Sequence, residues 1–224
     1  MYNPEPTSTF HKPKPSWPIR EIILCVILFG AGMMVGYGLR GEQASGGGSV
    51  DAALDESAKD DPALGSADAK VTIVEFADYE CGYCRIWYQQ VYAPLMAQYG
   101  SRIRFVFRDF PLDFHPNSQP AAEAANCAGA QGRYWEYQDQ LWGTGVGLDS
   151  ASLRQYAQAI SLDMGAFDEC TSSNRFAEEI RQDVLDGMRK GVNGTPAFLV
   201  NDQLVPGMLP FDQFAAIIEQ ELAK

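Results

Sequence analysis

Histidine is scarce in this chain of 224 residues: there are two, His11 and His115. That supply excludes a multi-histidine metal centre or a haem chain. Basic residues are also few, 17 against 29 acidic ones, giving a formal net charge of −12. Residues 1–40 hold Lys12, Lys14, Arg20 and Arg40 against Glu5 and Glu21, a balance of +2, so residues 41–224 carry −14. A body this acidic repels phosphate backbones, which argues against nucleic acid as a partner. There is no internal repeat. Apolar residues at 46% and charged residues at 21% are an ordinary globular mix, which argues against wholesale disorder. The length suits one domain with an appendage.

The single long apolar run, Ile22 to Leu39, is uncharged and 18 residues long. As a helix it reaches about 27 Å, enough for a bilayer core once interfacial residues are added. Residues 1–18 are polar and proline-rich and read as a disordered tail. With Lys12, Lys14 and Arg20 ahead of the run, the positive-inside rule puts this tail in the cytoplasm and everything after Leu39 outside it. The expectation is a signal anchor over 19–40 in an inner or plasma membrane. A cleaved signal peptide is the alternative, disfavoured by the length of the run and by the lack of a clear A-x-A site. Residues 41–60, rich in Gly, Ser, Ala and acid, read as a flexible linker. The folded domain is expected over 61–224, in a periplasmic or otherwise extracytoplasmic space.

Within that domain, Val71 to Phe76 reads as a buried strand, residues 82–98 as a helix interrupted by Pro94, and Ile103 to Phe110 as a second strand. A helical block follows over about 115–190. Ala197 to Val200 and Gln203 to Val205 form a hairpin, and Phe211 to Lys224 a closing helix. Strand, helix, strand, helical block, hairpin and helix make an α/β sheet with a helical insertion.

Cys81-Gly82-Tyr83-Cys84 follows the first strand and opens the first helix. The spacing alone could be half of a zinc site, but Cys127 and Cys170 lie 43 apart and supply no second Cys-x-x-Cys. A bridge spanning two residues constrains almost nothing, so a purely structural role is poor. A redox pair remains. At a helix N-terminus, Cys81 gains thiolate stabilisation from free N–H groups and the helix dipole, and the thiolate is the attacking species in disulfide exchange. Cys84, one turn on, is placed to resolve the mixed disulfide. Glu75, six residues before Cys81, is either a proton acceptor for Cys84 or a carboxylate at a wet strand edge; its apolar neighbours favour the first. Asp78 and Glu80 should disfavour a thiolate at Cys81. Thr195-Pro196, freed by Gly194, makes a turn before a strand, where a cis-proline loop would offer backbone groups to an extended substrate. Cys127 and Cys170 suit a structural disulfide; a regulatory redox pair or two buried thiols are the alternatives. His115, beside Pro116, reads as a loop or cap residue, with a substrate-facing role as the alternative.

Several stretches together resemble one family. DPALG at 61–65, VTIVEFADYECGYCR at 71–85, FVFRDFPL at 105–112 with His115, AAEAANCAGAQGRYWEYQDQLW at 121–142 and GVNGTPAFLVN at 191–201 are similar to the DsbA-type thiol–disulfide oxidoreductases of the thioredoxin superfamily. The resemblance implies a thioredoxin fold with inserted helices, Cys81 as nucleophile, Cys84 as resolving cysteine, Glu75 as buried acid and Pro196 as cis-proline. Gly82, Tyr83 and Thr195 would face the substrate. No cofactor or metal is implied; the partners would be exported cysteine-containing proteins and a membrane redox partner. The strongly oxidising members carry proline and histidine between the cysteines. Gly82-Tyr83, with Thr195 before the proline, looks more like the DsbC-type isomerases. The expected activity is thus membrane-tethered thiol–disulfide exchange leaning to isomerase or reductase, with a dedicated oxidase and a non-catalytic chaperone as alternatives.

Overall fold

The computed structural model describes residues 61–143, 147–201 and 203–224. The expected tail, anchor and linker lie outside the described residues, among which no helix is long and apolar enough to cross a membrane. The strands are β1 (Ala63–Leu64), β2 (Val71–Ala77), β3 (Ile103–Asp109), β4 (Ala197–Val200) and β5 (Gln203–Pro206). They form one sheet in the order β1-β3-β2-β4-β5, with β2 and β3 parallel and the other pairings antiparallel.

Each face of the sheet is covered. Val71, Ile73 and Glu75 share one face by the two-residue period of β2. There Val71 and Ile73 pack with Trp87, Leu95, Phe105, Phe198 and Phe214, supplied in part by α1 (Gly82–Trp87), α2 (Ala93–Tyr99) and α8 (Phe211–Ala223). Pro94 does not break the helix between Gly82 and Tyr99. A π-helical turn at Tyr88–Tyr92 precedes it. A proline ring clashes with the carbonyl four residues back, here that of Gln90, and the wider turn makes room for it. On the opposite face, Val74, Phe76, Val106 and Leu199 lie under α7 (Ala177–Arg189). The approach of α7 is close: a Cβ on Gly187 would come within 2.8 Å of the Phe110 ring.

The insertion consists of α3 (Ser118–Gly129), α4 (Tyr134–Gly143), α5 (Ser150–Ala159), α6 (Met164–Ser172) and α7. Small side chains on α3, among them Ala121, Ala124, Ala125 and Ala128, let the aromatic rings of Tyr137, Trp142 and Phe167 close over it in one buried cluster. Cys127 of α3 and Cys170 of α6 are joined by a disulfide, Cα to Cα 5.8 Å.

Chain entry is pinned. Phe107 N–H donates to Pro62 O at 3.0 Å, and the buried Arg108 at the end of β3 meets Asp61 at 2.6 Å and Asp186 at 3.2 Å. At the far end of the sheet, Lys70 Nζ donates to Leu222 O near the C-terminus.

Candidate active site

Cys81 caps the N-terminus of α1 with an extended backbone, and its carbonyl accepts the Arg85 N–H. Its sulfur lies 3.4 Å from the carbonyl oxygen of Thr195, across the cis Thr195–Pro196 peptide that opens β4. Both Cys81 and Cys84 are free thiols. The Cys81 pKa is pulled down to about 5. The hydrogen bond from Cys84 is the largest cause; burial opposes it, and Thr195 with the backbone N–H groups of Cys84 and Tyr83 adds to the fall. The Thr195 hydroxyl is buried without another hydrogen-bond partner among the described residues, so a thiolate nearby is its natural acceptor.

Cys84 behaves oppositely. It is fully buried, and burial raises its pKa well above that of a free thiol, helped by the bond to Cys81 and by the charges of Cys81 and Glu75. Glu75 is buried between Phe107 on β3 and Phe198 on β4, and burial raises its carboxyl well above the usual range. A wet strand edge is therefore excluded for Glu75. An acid that is neutral in this setting can exchange a proton with the thiol beside it.

The carboxylates ahead of Cys81 do not act as the sequence suggested. Asp78 is turned into a hydrogen-bond cradle: its Oδ1 accepts Glu80 N–H at 2.7 Å, and its Oδ2 accepts Leu112 N–H and His115 Nδ1–H, both at 2.8 Å. Glu80 accepts the backbone and side-chain N–H groups of Asn117, at 2.8 and 3.1 Å. Both carboxyls are engaged with donors of their own, and neither is among the largest causes of the Cys81 shift, which are its own hydrogen-bond donors and burial. His115 thereby fastens the loop after β3 to the cysteine loop.

Gly82 and Gly194 have no positive φ, and a Cβ on either would meet nothing within 4 Å. The turn at Gly194 does not need glycine's freedom. Tyr83 is 65% exposed beside Cys81. Phe114, 75% exposed on the loop that His115 fastens, was missed in the sequence, where it reads as one more loop residue.

A family model described as Thioredoxin matches residues 57–220. The chain belongs to the thioredoxin family. Within that family the inserted helices give it the DsbA-type arrangement. A thioredoxin-like oxidoreductase from Silicibacter pomeroyi DSS-3 superposes with a TM-score of 0.68 at 29% identity, covering 76% of this chain and 95% of that one. BdbD from Bacillus subtilis (TM-score 0.67, 23% identity, 73% and 94% covered) and alpha-DsbA1 from Wolbachia pipientis (0.66, 22%, 74% and 92%) share the fold. Among curated relatives, the Na(+)/H(+) antiporter NhaA 3 of Salinispora tropica is 38% identical over 164 residues, 73% of this chain and 25% of the antiporter. NhaA of Herminiimonas arsenicoxydans is 30% identical over 155 residues, 69% and 24%. The chain spans about a quarter of the length of these relatives. This thioredoxin-type pair is built for thiol–disulfide exchange: one acidic thiol that is itself buried, at 6% exposure, rather than exposed as its place at the helix start suggests, and one fully buried thiol with a raised pKa.

Proposed function

We propose that this protein is a thiol–disulfide oxidoreductase acting on exported cysteine-containing proteins, held to the membrane by residues 22–39. The observation that carries the reading is the opposed pair, Cys81 acidified beside the Thr195 carbonyl and Cys84 buried with a raised pKa. In the reducing direction the Cys81 thiolate attacks a client disulfide, forming a mixed disulfide and releasing one client thiolate. Glu75 first releases its own carboxyl proton to solvent and then takes that of Cys84, whose thiolate attacks Cys81 sulfur and displaces the second client thiolate, so that the client leaves reduced. In the oxidising direction a client thiolate attacks Cys81 of the Cys81–Cys84 disulfide, and Cys84 departs with a proton from Glu75. A second client thiolate completes the bond. Thr195 and Pro196 align the client backbone, and Gly82 and Tyr83 flank its cysteine. A membrane redox partner resets the pair. The antiport named for the curated relatives is not carried over, because the common stretch is a quarter of them.

Direction follows from thiolate stability. A pKa of about 5 lies between the roughly 7 of thioredoxin and the roughly 3.5 of DsbA. At about 30 mV per tenfold change in the reduced form's stability, the potential expected on this reading is between roughly −220 and −160 mV, around the value of about −180 mV typical of an isomerase. The low pKa moves the reading away from a reductase. Equilibration against glutathione tests it: a potential in that interval is expected, one near −120 mV means a dedicated oxidase, and one below about −250 mV a reductase. In Cys84→Ser, mixed disulfides with clients should accumulate through Cys81; accumulation in Cys81→Ser instead would invert the roles.

A further inference from the structure

Between α3, α5 and α6 of the insertion lies a cavity of about 800 Å³. Ala124, Leu153 and Phe167, all buried, give it an apolar floor. Its wall includes Glu123, which is 4% exposed. Glu123 Oε1 accepts Phe176 N–H at 2.7 Å, while Oε2 is buried with no hydrogen-bond partner among the described residues. The arginine of the lining, Arg154, is already held by Asp168 at 2.6 Å. The lining starts at Asn117, the residue that Glu80 grips with two hydrogen bonds, and Glu80 directly precedes Cys81. That hydrogen-bonded pair joins the rim of the cavity to the residue before Cys81.

We infer that this cavity receives a basic side chain, lysine or arginine, from the client segment whose cysteine is joined to Cys81. The inference rests on the thiol–disulfide reading above. A buried carboxyl satisfied on one oxygen favours a charged donor beside it, and burial strengthens that attraction. The apolar floor suits the methylene stem that leads to such a group. Burial raises the Glu123 carboxyl above its usual range, which a cation beside it would reverse and a second carboxyl would reinforce; a net charge of −14 over residues 41–224 also repels an acidic side chain. An apolar side chain would fill the floor and leave Glu123 as it is. Six residues of helix separate Asn117 from Glu123, about 9 Å at 1.5 Å each. An extended client covers that in about three residues, so the basic residue falls roughly four to six positions from the reacting cysteine.

The test uses the full chain and single-cysteine peptides blocked as mixed disulfides with a chromogenic thiol. Lysine, norleucine or glutamate is placed at each of positions two to seven from the cysteine, on either side. The expected result is attack at least fivefold faster on lysine than on norleucine at one of positions four to six, slowest on glutamate, with the preference shrinking as salt is added. Within Glu123→Gln, the lysine-to-norleucine ratio should fall toward one, which a purely structural role for Glu123 would not cause. Equal wild-type rates on lysine and norleucine at every position overturn the inference, and that comparison needs no variant. A glutathione mixed disulfide that reacts normally in the wild type shows that the thiol–disulfide reading stands in that case; one that fails to react overturns both.

Discussion

Cys81 owes its acidity to donors: the Cys84 thiol, the Thr195 hydroxyl and two backbone N–H groups. No cation is among them, which leaves the site tunable by a single exposed residue. Tyr83→His would add positive charge near the sulfur at low cost to the fold, since Tyr83 is largely in water. Alkylation of Cys81 against pH should show a midpoint near 5 in the wild type, a lower one in Tyr83→His, and one higher by about half to one unit in Thr195→Val. A wild-type midpoint near 8 would remove the basis for the potential assigned above. Gly82 has open space around it and begins α1, where proline is favoured, so Gly82→Pro should fold unchanged.

At the scale of elements, the strand Val71–Ala77 and the cysteine helix were legible because a β-branched run ends where Cys-x-x-Cys begins. β1 was not, because two residues carry no period and pair only through the edge of β3. The opening turns of the site were misread for a related reason. Asp78 and Glu80 are near Cys81 in sequence, but their partners His115 and Asn117 are 37 residues away, and only the fold brings them together. Glu123 was hidden in an alanine-rich run that reads as core. The pairing of Cys127 with Cys170 ties α3 to α6, a helix of nine residues that caps its own start with Asp163. Opening that 43-residue loop by Cys127→Ala and Cys170→Ala should cost about 4 kcal/mol in the chain-entropy model, roughly 8–16 °C in Tm. Thermal unfolding checks this, and Cys81 alkylation should be unaltered in the folded variant.

For the whole molecule, buried carboxyls set the response to pH. Burial pushes Asp109 up to about 7 and Asp183 up to about 9. Both titrate near 4 when unfolded, so over the intervening range the folded chain holds protons that the unfolded one has lost. Stability from these groups is complete below about pH 4 and is lost as pH rises through 7 and then 9. The urea midpoint should therefore be lower at pH 9 than at pH 6, with a shallower fall in Asp183→Asn; a flat or rising profile would contradict it. The clasp of Asp61 by Arg108 has another consequence. It brings the chain into the sheet beside the end of β3, where Phe110 N–H meets Ala77 O next to the cysteine loop, while Leu222 lies by Lys70 at the opposite end. The clasp and the cysteine loop thus share one end of the sheet: in Asp61→Asn, hydrogen exchange at the Phe107 and Phe110 N–H groups should quicken, while exchange at the Lys70 end stays as it was.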